Sequence, residues 1–534
     1  MRTRIAVLAV LAVLMTGWSA ALSAPATPAP RPGGTLFFVL EADPDRLDPN
    51  LSGLRTSQIV FFQIFEPLIV RDPQDRTFKP WLATAWEVSP DGRAYTFRLR
   101  RDVKFHDGTP FNAEAVKFNM DRTHNPALAS RCGGCAVGFY DSSEVVDQYT
   151  VRIRLKQPWA PFLDAMSLFY RMVSPAQVRR VGDQDLGRRP VGTGSFRFVE
   201  WVPNDRIVLE RNPDHTWAPP IFRNKGAAYV ERVHVRIITE PTTRVTALEA
   251  GEVHVATAVP PQDFARLSRD PRYQAIIGIQ SGVPFVFAVN VTKRPTDELA
   301  VRQALNYGID REQIARAVFG PLQPFGAYKP AYTLLSSITW GYDKGTEMYQ
   351  HDATRARELL EQAGWKPGPD GIRQKGGERL EARLVSWERG APEVMQAQLR
   401  RIGLDLKVAA MPALAVNEAQ RKPESHMTPR PAARTDPDVL SAFLHSRNVG
   451  GGGFNFSFVK DPQLDQIFDQ AATEVDMNRR RQLYVQAVRL TMQRAYFLPV
   501  HARDNVSVTV ARVRDLRYDV TGFFPWLHDV WMVP

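Results

Sequence analysis

Short runs in which every second residue is apolar recur along the chain, and they are the feature that most constrains its fold. The runs 95–100, 151–155 and 233–237 each place aromatic or aliphatic side chains on one face. An apolar period of two predicts half-buried β-strands, each of which needs a covering layer. The fold must therefore contain sheets that pack against other elements.

Helical patterns lie mainly after residue 295. Asp352 is a typical N-cap residue, apolar residues follow it at helical spacing, and Gly364 stands where a helix would end. Asp310 predicts the start of a second helix, and the apolar stripe at 463–475 predicts a third. Strands and helices together predict an α/β protein. The rise in helical patterns predicts a domain boundary near residue 290.

The N-terminus has the pattern of an export signal. Residues 1–24 combine a basic start, an apolar run and small residues, which predicts a secretory signal peptide. Ala24-Pro25-Ala26 offers an A-x-A cleavage motif, cleavage after Ala21 or Ala24 is also possible, and an uncleaved anchor is the alternative. Residues 25–32 are rich in proline and alanine and predict an irregular leader. We expect a soluble mature protein in the periplasm, because no other apolar run approaches the length of a membrane span.

Cys132 and Cys135 form a C-x-x-C pair and are the two cysteines of the chain. In an oxidising compartment such a pair favours a small disulfide loop. Free thiols, or a redox or metal-binding role, are the alternatives, although no second C-x-x-C is present to complete a zinc site.

The formal net charge is +11, which is compatible with several kinds of anionic partner. Export argues against nucleic acid, and the arginines are scattered along the chain rather than clustered. We therefore expect no nucleic-acid partner and a solvated basic surface with some preference for anionic molecules.

The stretch "PVGTGSFRF" at 190–198 has two explanations. A phosphate-binding loop would need its glycines to end at the start of a helix. Here Gly194 is followed by alternating aromatic residues, which predict a strand. We interpret Gly192 and Gly194 as allowing a tight, positive-φ approach to another part of the backbone, and nucleotide binding is not expected.

Several long segments resemble the family-5 extracellular solute-binding proteins, the peptide- and nickel-binding components of ABC importers. The resemblance covers nearly all of the mature chain, and its motifs follow the family's order. The segments are 82–122, 188–217, 239–256, 297–320 and 352–365.

The resemblance implies a two-lobed periplasmic-binding-protein clamshell of the class II or cluster C type, with an extra α/β domain inserted in lobe one. The expected parts are lobe one at 33–76, 186–288 and 500–534, the inserted domain at 77–185, and lobe two at 289–499. The hinge is expected near 286–293 and 497–503.

The function implied is binding rather than bond-making. The lobes would close on a peptide-like or small anionic organic solute, and an ABC permease would receive the closed form. We expect a monomer with no cofactor and no enzymatic activity. The alternatives are a secreted chaperone-like or adhesive protein of the same fold, or a secreted hydrolase, for which the sequence lacks a G-x-S-x-G motif.

The segment 430–440 departs from its peptide-binding relatives. Those proteins usually carry an aspartate three residues before an Asp-Pro pair, and it binds the peptide's amino group. Here Ala433 stands three residues before Asp436, while Arg430 and Arg434 lie close by. A guanidinium suits carboxylate or phosphate, so we predict that Arg434 binds an anionic group of the solute, with Arg430 and Asp436 as further candidates for contacting it. The alternative is that Arg434 pairs with Asp436 or Asp438 or lies on the surface.

Aromatic residues are the other candidates, because apolar walls with a few polar groups are typical of small-molecule pockets. The loop 450–458 contains the first set, for which the alternative is a place in the core of lobe two. The wall candidates are Phe454, Asn455 and Phe456, with Phe285, Trp81 and Trp526 as weaker ones.

Ten histidines invite a metal hypothesis, since part of the family handles nickel complexes. They show no tight ligand spacing, and His106 lies in a turn motif, where a structural role is the simpler interpretation. No metal site is predicted.

Overall fold

The structure is a computed structural model, and it describes residues 29–128, 130, 139–450 and 453–533. The predicted signal peptide and the Cys132–Cys135 pair lie outside the described residues. Within the described ranges, no helix has both the length and the apolar character needed to cross a membrane.

A seven-stranded mixed sheet forms the centre of the first lobe. Its three central strands, Val255–Thr257, Thr35–Leu40 and Arg232–Ile237, are parallel. The remaining strands pair with them antiparallel on both sides. In spatial order the strands are Tyr273–Gly278, Asn505–Val510, Val255–Thr257, Thr35–Leu40, Arg232–Ile237, Arg206–Arg211 and Phe196–Val202.

A six-stranded mixed sheet forms the centre of the second lobe. The strand Glu381–Ser386 runs parallel to both of its neighbours. In spatial order the strands are Tyr328–Pro330, Phe497–Arg503, Phe285–Val289, Met427–Pro429, Glu381–Ser386 and Asp405–Ala410.

A four-stranded antiparallel sheet lies, in sequence, between the first and second strands of the seven-stranded sheet, as an inserted domain requires. It confirms the strands predicted at 95–100 and 151–155. In spatial order its strands are Ala83–Val88, Ala94–Leu99, Thr150–Leu155 and Tyr140–Asp147.

Short strand pairs complete the sheet structure. They are Ile69–Arg71 with Phe78–Pro80, Gly282–Val283 with Ala432–Ala433, Val513–Arg514 with Trp531–Met532, Arg517–Tyr518 with Pro525–Trp526, and the three-stranded group Lys366–Pro367, Arg373–Lys375 and Glu378–Arg379.

The helices cover the sheets, and the predicted caps are present. Asp352 accepts a hydrogen bond from Arg355 N at 2.8 Å, and Asp310 accepts one from Gln313 N at 2.9 Å. Gly364 has a φ of 87°, as a helix-ending glycine does. The α-helices are Arg55–Ile64, Ala113–His124, Phe162–Leu168, Pro175–Asp185, Pro241–Glu249, Pro261–Leu267, Leu299–Gly308, Arg311–Phe319, Ala353–Gln362, Ala391–Arg400, Ala413–Ala419, Val439–Leu444, Pro462–Thr473 and Met477–Gln493.

The chain crosses between the two large sheets at residues 279–284 and again at Asp504. The expected hinge positions, 286–293 and 497–503, were misplaced by several residues. Phe285–Val289 and most of Phe497–Arg503 pair inside the six-stranded sheet, so those residues are fixed by ladder hydrogen bonds. The two crossings lie side by side, since Gln280 N donates to Asp504 Oδ1 at 2.8 Å.

The glycines of "PVGTGSFRF" confirm the close approach but not the positive φ, which neither Gly192 nor Gly194 adopts. A Cβ on Gly192 would lie 2.1 Å from Ile64 O, and a Cβ on Gly194 would lie 2.4 Å from Gln63 O. Gly194 N donates to Ile64 O at 2.8 Å, and the strand Phe196–Val202 follows. The two glycines therefore allow the turn to pack against the end of a helix.

Replacing Gly192 with alanine should destabilise the protein by about 1–3 kcal/mol, because the new methyl group overlaps a backbone carbonyl. Urea unfolding measures the change. Gly320→Ala is the matched control, since a Cβ there meets nothing within 4 Å and the residue has a helical φ of −46°. Equal stabilities for the two variants would contradict the overlap argument.

Candidate functional site

The carboxyl ends of parallel strands in both large sheets point toward the crossings. Ligands of open α/β sheets bind in the crevice outside these carboxyl ends. In the first lobe, Glu41 directly follows the strand Thr35–Leu40. In the second lobe, Trp387 and Glu388 follow Glu381–Ser386. The geometry therefore places the candidate site between the lobes, next to the crossings.

On the first-lobe side, an ion pair occupies the crevice. Arg55 Nη1 lies 2.5 Å from Glu41 Oε1, and Thr257 Oγ1 donates to Glu41 Oε2 at 3.2 Å. Burial opposes ionisation of Glu41, but the Arg55 guanidinium and backbone hydrogen bonding hold its pKa below the usual value. The Arg55 guanidinium carbon also lies 4.8 Å from the centre of the Phe523 ring.

On the second-lobe side, aromatic rings line the sheet edge. Phe285 stacks on His501 with ring centres 4.8 Å apart, and Trp387 meets Phe285 edge-on at 6.2 Å. His501 Nε2 lies 2.9 Å from Glu388 Oε1. Trp387 remains 36% exposed, which leaves a large indole surface open to a solute.

Three half-buried arginines share this region and have no carboxylate within 4.0 Å in the described part of the chain. They are Arg430, Arg434 and Arg503. Arg434 Nη1 donates to Ala433 O at 2.8 Å, and its guanidinium carbon lies 4.4 Å from the Phe169 ring centre, in the inserted domain. The second lobe thus contributes positive charge that internal ion pairs do not neutralise.

Arg503 interacts electrostatically with charged residues of both lobes. Burial lowers its pKa, Glu388 raises it, and the positive charge of Arg55 lowers it further. Arg55 belongs to the first lobe, so the two guanidinium groups influence each other across the crevice. An anion bound between them would relieve this repulsion.

Asp436 does not pair with Arg434. It forms a bidentate ion pair with Arg480, whose Nη1 and Nη2 donate to the carboxylate at 2.8 and 2.7 Å. Asp438 accepts a hydrogen bond from Tyr484 Oη at 3.0 Å. Both acids are therefore engaged inside the second lobe, and Asp436 is no longer a candidate for contacting the solute.

The neighbouring Thr435 links the second lobe to the inserted domain. Thr435 Oγ1 donates to Asp164 Oδ1, and Arg71 Nε lies 3.3 Å from the same oxygen. A backbone bond from Ala160 N to Ala472 O, 2.7 Å long, adds to this contact. The inserted domain therefore touches the second lobe beside Arg434.

The aromatic candidates of the loop 450–458 differ in their surroundings. Asn455 is only 1% exposed, and its Nδ2 donates to Val459 O at 2.9 Å and to Leu444 O at 3.2 Å. Its amide maintains the loop, so we no longer propose it as a solute contact. Phe454 and Phe456 each place a ring centre 4.9 Å from the Arg430 guanidinium carbon.

Trp81 and Trp526 lie together in the core between the first lobe and the inserted domain. Their ring centres are 5.6 Å apart, and both pack against Phe222. They are 3% and 7% exposed, which leaves little surface for a solute. The sequence could not separate these core tryptophans from the exposed Trp387, which it missed.

The described residues hold no cluster of three or more histidine, cysteine, aspartate or glutamate side chains that could bind a metal ion. His106 is engaged in the glycine turn, where its backbone N donates to Gly192 O at 2.8 Å and its Nε2 lies 2.9 Å from Gly194 O.

Comparison with known proteins agrees with this geometry. The model of the bacterial extracellular solute-binding proteins, family 5, matches residues 77–451. The chain belongs to this family. It is a solute-binding protein of the kind that serves ABC importers, and its homologues are binding proteins rather than enzymes.

Three relatives illustrate the family. The glutathione-binding protein GsiB of Salmonella choleraesuis is 29% identical over 473 residues, which cover 86% of this chain and 87% of that protein. NikA from Brucella suis, solved with Fe(III)-EDTA, has a TM-score of 0.82 and 27% identity, covering 94% of this chain and all of that one. DppA from Helicobacter pylori, solved with the peptide STSA, has a TM-score of 0.81 and 26% identity, covering 94% and 98%.

Because of Asp438, the free energy of unfolding of the protein should fall as the pH rises from about 4 to about 6. Burial and the charge of Asp436 raise its pKa to about 6, above the value of about 3.9 in an unfolded chain. In that window the native protein binds more protons than the unfolded one, so stability falls with rising pH. Asp438→Asn should therefore be more stable than the wild type above pH 6, by up to about 3 kcal/mol, with the difference vanishing near pH 4.

Urea unfolding at pH 4, 5, 6 and 7 measures this difference. Asp91→Asn is a control of opposite sign, because a hydrogen bond from Ser89 lowers the pKa of the exposed Asp91. A constant difference between Asp438→Asn and the wild type across the series would contradict the prediction.

Proposed function

We propose that the two lobes close on a small peptide-like or anionic organic solute and deliver it to the transmembrane subunits of an ABC importer. The observation that carries this proposal is the group of half-buried guanidiniums without carboxylate partners where the two sheet edges meet. Exposed Trp387 and the rings beside it supply the apolar wall that a small-molecule site needs.

The chemistry of the relatives' ligands supports an acidic solute. Glutathione carries two carboxylates, EDTA carries four, and a peptide such as STSA ends in one. A guanidinium binds a carboxylate through parallel hydrogen bonds, which give geometric selectivity as well as energy. A peptide-like acid is therefore the solute class that fits this crevice best.

The acids around the crevice are engaged within the protein, which argues against recognition by a free amine. Glu41 pairs with Arg55, Asp436 pairs with Arg480, and Glu388 lies beside His501. An ammonium group on the solute would have to displace one of these partners. If the protein recognises the acidic end of the solute instead, no internal ion pair has to be broken.

Closure follows from the connectivity. The lobes are joined at 279–284 and Asp504, and neighbouring crossings of this kind can act as a hinge. A solute shifts the open–closed equilibrium only by its differential affinity for the closed form. We further propose that the mature protein is a periplasmic monomer released by cleavage near residue 21 or 24.

Protein exported through its own signal peptide should carry an acidic small molecule that mass spectrometry detects after denaturation. Small-angle X-ray scattering of the refolded, solute-free protein should then show a smaller radius of gyration when that molecule, or reduced glutathione, is added. A scattering profile that no acidic or peptide-like solute changes would contradict solute capture, and turnover of the solute would favour an enzyme.

Arg434→Ala should weaken solute binding about tenfold or more, because a charge-assisted hydrogen bond is lost. Isothermal titration calorimetry with the co-purified solute measures the affinity. The control is Arg400→Ala, an exposed arginine at the C-terminal end of the helix Ala391–Arg400. Unchanged affinity in a folded Arg434→Ala protein would remove Arg434 as the anion anchor.

A further inference from the structure

Arg430 has surroundings unlike those of a structural arginine. Its guanidinium carbon lies 4.1 Å from the ring centre of Phe443 and 4.9 Å from those of Phe454 and Phe456. Its Nε is buried and has no hydrogen-bond acceptor among the described residues. The side chain thus lies among three aromatic rings with an unused donor.

The charge of Arg430 is also uncompensated. Burial, together with the positive charges of Arg434 and Arg421, lowers its pKa to about 9. The acids that follow in sequence are engaged elsewhere: Asp436 pairs with Arg480, and Asp438 accepts from Tyr484. Aromatic rings stabilise a cation only in part, so burial without an anion is unfavourable.

Three buried arginines in the described chain have acceptors for their guanidinium groups. Arg480 pairs with Asp436 at 2.7 Å, and Arg122 pairs with Asp48 at 2.7 Å. Arg311 donates to three backbone carbonyls. Arg430, by contrast, has neither a carboxylate nor a backbone carbonyl of this kind among the described residues.

The position of Arg430 shows where the missing acceptor would come from. It directly follows the strand Met427–Pro429, and its backbone N donates to Val286 O at 2.7 Å. Val286 lies just beyond the crossing 279–284. The Arg430 side chain is only half-buried. Arg430 therefore stands at the sheet edge beside the crossing, and we infer that an anion would reach it from the crevice between the lobes.

We propose that Arg430 is a specificity-determining residue whose guanidinium binds an acidic group of the solute, a carboxylate or a phosphate, and is left unpaired when the protein is empty. This inference rests on the proposed function. Cation–π contacts engage the faces of a guanidinium, whereas its N–H donors lie in its plane. The three rings thus hold the guanidinium in place without accepting its hydrogen bonds, and its donors stay available to an anion.

The first test uses the solute-free protein. Arg430→Met keeps the length and apolar contacts of the side chain and removes the unpaired charge, so its melting temperature should equal or exceed that of the wild type by about 1–3 °C. Arg480→Met, which breaks a buried ion pair, should melt at a lower temperature than the wild type. If the melting temperature of Arg430→Met falls as far as that of Arg480→Met, Arg430 has a structural role and the proposal is overturned.

The second test measures binding by calorimetry with three probes: reduced glutathione, its monoethyl ester at the glycine carboxylate, and inorganic phosphate. The wild type should bind at least one acidic probe, and Arg430→Met should bind it about tenfold or more weakly. If the wild type binds glutathione but not its ester, the glycine carboxylate is the group that Arg430 binds. If the wild type binds inorganic phosphate and neither glutathione probe, the group is a phosphate. The control variant Arg400→Met, at the C-terminal end of the helix Ala391–Arg400, should match the wild type.

Two outcomes separate this inference from the proposed function. If glutathione or phosphate closes the lobes equally in wild type and Arg430→Met, as scattering would show, the solute receptor stands and the role of Arg430 is rejected. If neither acidic probe binds the wild type, the role of Arg430 is also rejected, while closure on a neutral peptide such as tri-alanine would still support the solute receptor.

Discussion

The architecture depends on two neighbouring chain crossings, one at 279–284 and the other at Asp504. The hydrogen bond from Gln280 N to Asp504 Oδ1 ties them together. Strand pairing fixes the residues on both sides of each crossing, so the lobes keep their own cores while the connection between them stays narrow. The facing sheet edges can then form a crevice that neither lobe has alone.

The electrostatics of that crevice follow from where the chain uses its acids. Asp436 satisfies Arg480, and Glu41 satisfies Arg55, so these carboxylates stabilise the lobes. Arg430, Arg434 and Arg503 have no such partner in the described residues. Under the function proposed above, these unpaired charges are unfavourable in the empty protein, and an anionic solute would neutralise them.

Much of the fold was predictable because local patterns determine it. Period-two runs gave the strands Ala94–Leu99 and Thr150–Leu155, and the caps at Asp310 and Asp352 mark helices that are present. Long sequence blocks identified the family and therefore the clamshell. The hinge was misplaced because apolar strands such as Phe285–Val289 show no local sign of which sheet they join.

The sequence by itself determined the elements, the family and the unusual replacement of an acid by Ala433 beside two arginines. Only the tertiary structure decided which arginine is unpaired, since Asp436 could have paired with Arg434 and instead pairs with Arg480, forty-four residues away in the chain. It likewise placed Trp387 at the crevice and Trp81 in a core. Ion pairing and burial are set by contacts between distant segments, and a linear pattern does not record which segments meet.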